Sequence, residues 1–339
     1  MTFSQTAEKI KGRISGVVLD TLIIYPDYNI PKKFYEVEKI ESHIEAEYFT
    51  VDYQLTYPQL FYTIFSRDKG YVLNRPKSFF IDATSTAMTI DTANWEESYV
   101  NGTVGDEYEQ QFKPFVEKEM LDRVTYSFYS LPFLEDEEID TVLYNYSKRN
   151  PDSFVALWFL IKRYYQFGYS ELRENHLQLF SNDIKIGRLW KLLNEDINNA
   201  LLKQGKTFPP FKVLDSELNT ASLKANQEKY ILLDFWFTSC KPCIQALPQL
   251  NAIYKRFHKS GFVSISVDRE RSVEKWRARI GEEDMPWKHY LDLNGISSNE
   301  LPVKGFPRYI LLDKEWKILN TDISLDDLDA FLDSNLSKG

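Results

Sequence analysis

The chain has 339 residues, 43% of them hydrophobic, with two cysteines and a net charge of −9. That length exceeds one ordinary domain, and no apolar run is long enough to cross a membrane as a helix. The 19 basic and 19 acidic residues from Lys206 onward cancel, so the negative charge belongs to residues 1–205, which argues against a nucleic-acid partner.

Residues 1–105 read as a β-rich N-terminal domain. Ile10–Val18, Thr21–Tyr25, Tyr48–Leu55, Leu60–Phe65 and Ser78–Ile90 are rich in branched and aromatic side chains, with prolines and glycines between them. Residues 106–204 read as a helical connecting region. Glu107–Tyr129 has helical spacing with few breakers, and Pro132 precedes the acids of Phe133–Glu138, which suit the first turn of a helix running to about Lys148. Phe154–Phe167 and Gly187–Lys203 predict two more helices. Gly205-Lys206-Thr207-Phe208-Pro209-Pro210-Phe211 marks the boundary before a third domain, 205–339, because prolines end helical structure.

Within that last part, Tyr230–Trp236 is a short apolar run of strand type, and Ile244, Leu247, Leu250, Ile253, Tyr254 and Phe257 recur at helical steps. Cys240 and Cys243 stand between the two, as Cys-Lys-Pro-Cys at the start of the helix. The thiolate is the nucleophile, and a free thiol with pKa ~8.5 is mostly protonated at neutral pH. A helix N-terminus stabilises the anion through its unpaired N–H groups and dipole. Cys240 is therefore the expected exposed nucleophile and Cys243 the resolving thiol, with Pro242 tolerated in the first turn and Lys241 open to two readings, favouring the thiolate or pointing to solvent. His43, His176, His258 and His289 lack zinc-ligand spacing, so no metal is expected. A two-residue loop is also a poor structural staple, because closing it removes little unfolded-state entropy.

The stretch Leu232–Cys243 resembles the active-site segment of thioredoxin, and residues 205–339 are similar to the TlpA/ResA-like thiol–disulfide oxidoreductases. The second motif behind that resemblance is Gly305-Phe306-Pro307-Arg308-Tyr309-Ile310-Leu311-Leu312-Asp313. The resemblance implies an α/β thioredoxin-like fold, a central mixed sheet flanked by helices, after the mainly β N-terminal domain and the helical middle segment. It implies a cis bond at Phe306–Pro307, with Pro307 against the cysteines, and it gives Asp234 the role of accepting and returning the resolving thiol's proton. Trp236, Ser239, Lys241, Pro242, Phe306 and Arg308 are the expected substrate-binding positions. The redox-active disulfide Cys240–Cys243 is the only cofactor equivalent expected.

Departures from the family sharpen the expectations. Ala246 stands where ResA-like proteins often carry glutamate, Ser239 where thioredoxin has tryptophan, and Arg308 where many relatives have threonine. Arg308 is open to three readings: stabilising the Cys240 thiolate, selecting an acidic partner, or simply lying in solvent. A peroxidase of the same fold needs Pro-x₃-Thr/Ser-x₂-Cys, and those positions hold Leu233 and Phe237. Phe262–Asp268 predicts a second buried strand and Ser272–Ile280 a helix, while Pro286–Asp292 resembles the family's insert. A hairpin follows over Arg308–Asp313 and Trp316–Leu319, then a final helix capped by Ser324.

Residues 1–105 also look like the β-rich domain that often precedes TlpA-like domains in anchored envelope proteins of Gram-negative bacteria. The expected function is disulfide exchange with envelope proteins, in the reducing direction. Its partners are proteins with cysteines or disulfides and an upstream electron donor, membrane-bound or not. The alternative is a partner-binding or assembly protein of the envelope whose thioredoxin-like domain is a redox sensor or a remnant. Met1-Thr2-Phe3-Ser4-Gln5 opens on polar sequence, so the expected periplasmic or envelope location rests on the resemblance, as does any lipid anchor.

Overall fold

The computed structural model describes residues 8–16, 20–27, 29–67, 70–72, 78–94, 97–120, 137–210, 212–223, 228–270, 272–283, 285–293, 303 and 305–336. They form two compact units, one of residues 1–166 and 172–195, the other of 167–171 and 196–339. Residue 105 is therefore not a border between compact units, because the strands and helices on either side of it share one. Val17, Val18, Pro132, Phe211 and the segments 121–129 and 133–136 of the predicted helices lie outside the described residues.

The first unit carries two sheets. In one, β1 (Glu8–Ser15) is antiparallel to β4 (Tyr48–Tyr53) and parallel to β8 (Ala87–Asp91), which β9 (Tyr99–Val100) extends. In the other, β2 (Thr21–Pro26) lies between β3 (Ile40–His43) and β5 (Gln59–Arg67), and β6 (Gly70–Val72) and β7 (Ser78–Ile81) both pair with β5. The single apolar run Ser78–Ile90 divides because Asp82 builds a turn, accepting from the Thr84 and Ser85 backbone amides through its side chain and carbonyl. Helices follow: α1 (Thr103–Glu107) and α2 (Lys113–Glu119), joined by one wide π turn, then α3 (Glu137–Arg149), α4 (Phe154–Phe167), α5 (Glu171–Gln178), α6 (Asn182–Lys185) and α7 (Arg188–Asn199). Val155 to Ile161 of α4 are all buried, as expected for a helix that is apolar on every side.

The second unit is built on a seven-stranded sheet. Its elements are β10 (Lys212–Leu214), β11 (Thr220–Ser222), β12 (Tyr230–Trp236), α8 (Lys241–Phe257), β13 (Phe262–Asp268), α9 (Val273–Glu282), β14 (Lys288–Leu291), β15 (Arg308–Asp313), β16 (Ile318–Asn320) and α10 (Leu325–Leu336). The strand order is β11-β10-β14-β13-β12-β15-β16, with β12, β13 and β14 parallel and the outer strands antiparallel. Pro286–Asp292, predicted as an insert, thus supplies the strand beside β13.

Alternation along β12 sends its side chains to opposite faces of the sheet. Ile231, Leu233 and Phe235 enter one core layer, together with Ile265, Val267, Ile310 and Leu312. Leu232 and Trp236 enter the other, against Leu247, Leu250, Ile253 and Phe257 of α8 and Leu325, Leu328 and Leu332 of α10. Asp234 falls between Leu232 and Trp236, so it shares the face that α8 covers.

Candidate active site

The loop from β12 to α8 brings the cysteines to the helix N-terminus. Cys240 is the N-cap residue, and its Sγ accepts from the Cys243 amide at 3.2 Å. The Cys240 amide donates to the Phe237 carbonyl at 2.9 Å, which closes the turn, and Pro242 sits in the first helical turn. Cys240 and Cys243 are joined as a disulfide with Cα atoms 5.3 Å apart. A sulfur in this position faces the helix's unpaired N–H groups, the environment that favours a thiolate once the bond is reduced.

Cys240, expected to be exposed, is 4% accessible in this oxidised form, and Cys243 is 3% accessible. Both cysteines pack in the layer that contains Trp236 and Tyr309. Next to the cysteines in sequence, Ser239, Lys241 and Pro242 are exposed and Phe237 is half-buried, as are Gly305, Phe306 and Pro307. Phe306–Pro307 is a cis bond. The rings of Phe237 and Phe306 meet edge to face at 5.4 Å, and the Arg269 guanidinium lies over Phe306 at 5.2 Å.

Asp234 is 3% accessible and accepts from Ser266 Oγ at 2.7 Å. Burial pushes its carboxyl up to about 7, and the Ser266 hydrogen bond opposes that rise. Tyr309, on β15, is pushed up by burial and by the Asp234 charge. A second buried acid ends β13. Asp268 is raised to about 8, first by burial, then by Glu270 and Asp234, with the nearby Glu270 amide opposing. Neither Asp268 carboxylate oxygen meets a partner at hydrogen-bond geometry among the described residues.

Two predicted substrate-binding residues are placed elsewhere. Trp236 is 1% accessible and packs in the layer beneath α8, where strand alternation puts it, so it offers no client surface. Arg308 is 4% accessible and lies neither in solvent nor free to meet an acidic partner. Its guanidinium donates to the Thr321 carbonyl at 2.8 Å, to Asp322 Oδ2 at 2.5 Å and to the Tyr169 carbonyl at 3.4 Å. These bonds direct its charge to the β16 end of the unit.

Sequence reasoning passed over Asp268, Ser266 and the ring pair of Phe237 and Phe306. Ser264 and Ser266 alternate with Val263, Ile265 and Val267 in β13, and two small hydroxyls in a wholly buried strand were the available signal. No group of three or more His, Cys, Asp or Glu able to hold a metal occurs among the described residues.

Residues 204–320 match the profile of the AhpC/TSA family. The thiol-disulfide oxidoreductase ResA of Bacillus thuringiensis is 29% identical over 115 residues, which is 34% of this chain and 66% of that protein. ResA of Geobacillus thermodenitrificans is 29% identical over 136 residues, 38% of this chain and 76% of that protein. The chain thus spans about two thirds of the length of the first of these relatives. Among solved structures, the thioredoxin domain of a thiol-disulfide oxidoreductase from Bacteroides vulgatus is 30% identical, covering 40% of this chain and 98% of that one, with a TM-score of 0.37. The peroxidase pattern stays unfilled, since Phe237 occupies its hydroxyl position and the neighbouring Thr238 hydroxyl is bonded to Glu270.

Proposed function

The C-terminal part of this chain belongs to the TlpA/ResA-like branch of the thioredoxin superfamily, and from that premise we propose that it reduces disulfides of client proteins through Cys240 and Cys243. The Cys240 thiolate attacks one client sulfur, the client S–S bond breaks, and the second client sulfur leaves as a thiolate that takes a proton from water. Cys243 then gives its proton to the Asp234 carboxylate and attacks the Cys240 sulfur. The mixed disulfide breaks, the first client sulfur leaves as a thiolate and is protonated in turn, and two electrons have passed from the dithiol to the client. An upstream donor restores the dithiol. Clients and donor belong to the cell envelope, and Ser239, Lys241, Pro242, Phe306 and Pro307 form the surface that meets the client.

The single observation supporting this reading best is the CxxC disulfide at the N-cap of α8, with a buried acid of raised pKa on the sheet face beneath that helix. Reduced Cys243→Ser protein, exposed to envelope extract, is expected to hold clients as mixed disulfides at Cys240, and Cys240→Ser is expected to hold none. Absence of adducts, together with a disulfide that yields to reductant only on unfolding, overturns the reading in favour of a binding protein with a vestigial redox site. The low accessibility of the oxidised sulfurs is the feature that gives that second reading its weight.

A further inference from the structure

Beneath the cysteines a short chain of hydrogen bonds ends on Asp234. Trp287 Nε1 donates to Ser266 Oγ at 2.7 Å, and Ser266 Oγ donates to Asp234 Oδ2 at 2.7 Å. Ser266 is 0% and Trp287 5% accessible, so water does not compete for either bond. The direction of the chain follows from chemistry. An indole N–H can only donate, so the serine oxygen is the acceptor, and its one proton is left to point at the carboxylate. Backbone pairing fixes the same geometry, because Asp234 and Ser266 are register partners across β12 and β13.

We propose that Ser266, held in orientation by Trp287, is a positioning residue that sets the proton affinity of Asp234. A serine with a free rotor serves a protonated or an ionised acid equally, by turning its hydroxyl. Trp287 takes one of the two lone pairs of Ser266 Oγ and so narrows its rotation, and the bond it donates to Asp234 Oδ2 favours the ionised acid, the form that can take a proton from Cys243. This step rests on the proposed role of Asp234 in disulfide exchange. Among the described residues, Asp268 on β13 and Tyr309 on β15 are the titratable groups that feel the Asp234 charge, while the cysteines, joined as a disulfide, do not titrate in the oxidised chain. Burial is what keeps the proton on Asp234, and the Ser266 hydroxyl is its counterweight.

The test is a site-resolved titration of the Asp234 carboxyl carbon by NMR in the oxidised full chain, paired with the pH profile of mixed-disulfide release. Ser266→Ala is expected to raise the Asp234 midpoint, making the acid about tenfold to a hundredfold harder to ionise, as loss of a hydrogen bond to a charged group implies. Trp287→Phe is expected to move it the same way by less, and Ser266→Thr, which keeps the hydroxyl, to restore the parent value. Should Ser266→Ala fail to fold, Trp287→Phe carries the test against the parent. An Asp234 midpoint unmoved in the folded variants overturns the proposal. A midpoint that moves while the release profile stays put upholds the tuning and refutes the proton-acceptor role.

Discussion

Asp234 holds a proton that the unfolded chain gives up. Its carboxyl titrates at about 7 when folded, because burial penalises the charge, against ~3.9 for an unperturbed aspartate. Between those values the folded state binds more protons, so stability falls as pH rises from about 4 to about 7 and stays lower above. Asp234→Asn removes that penalty. The variant is expected to gain little at pH 4 and up to about 4 kcal/mol at pH 8 over the parent, read from denaturant midpoints. A gain equal at both pH values would mean that the buried group is not what titrates. Asp268, raised to about 8, adds a slope of the same sign that persists in the variant. Under the proposed mechanism, stability and turnover pull in opposite directions at this position, since the same substitution removes the proposed proton acceptor.

Elements of the C-terminal unit are held by local signals that a reader of the sequence can see. Ser324 caps α10, its Oγ accepting from the Asp327 amide at 3.1 Å and donating to the Asp327 carboxylate at 2.7 Å, with Asp326 also in the favourable first turn. Ser324→Ala is expected to cost about 1 kcal/mol in thermal or denaturant unfolding. A loss near zero would show that packing of Leu325, Leu328 and Leu332 alone holds the helix. Such caps, the strand-turn-helix around Cys240 and the short apolar run of β12 were legible because they depend on neighbours in sequence. The strands β3, β9 and β14 were not, because short half-exposed segments such as Lys288–Leu291 become strands only through partners such as Ile265–Asp268. Trp287 lies in the segment read as the family's insert, and its bond to Ser266 depends on a register no local pattern encodes.

At the scale of the whole molecule, the least legible feature is a connection across 139 positions. The Arg308 guanidinium and the Thr321 hydroxyl both reach the Tyr169 carbonyl, so residues 167–171 belong with the C-terminal unit. Arg308→Met is expected to cost about 1–3 kcal/mol, because buried carbonyls lose their donor, while the Cys240/Cys243 potential stays within about 30 mV of the parent. A larger shift in potential would return Arg308 to the cysteines' electrostatics. The proline-rich stretch at 205–211 looked like a clean seam, yet Leu202 and the Tyr169 segment precede it and belong to the second unit. The polypeptide visits that unit, returns to the first for residues 172–195, and comes back to stay. Modular transplantation is therefore constrained: a redox module excised at the prolines and grafted behind another partner would arrive without residues 167–171, a piece of its own compact unit.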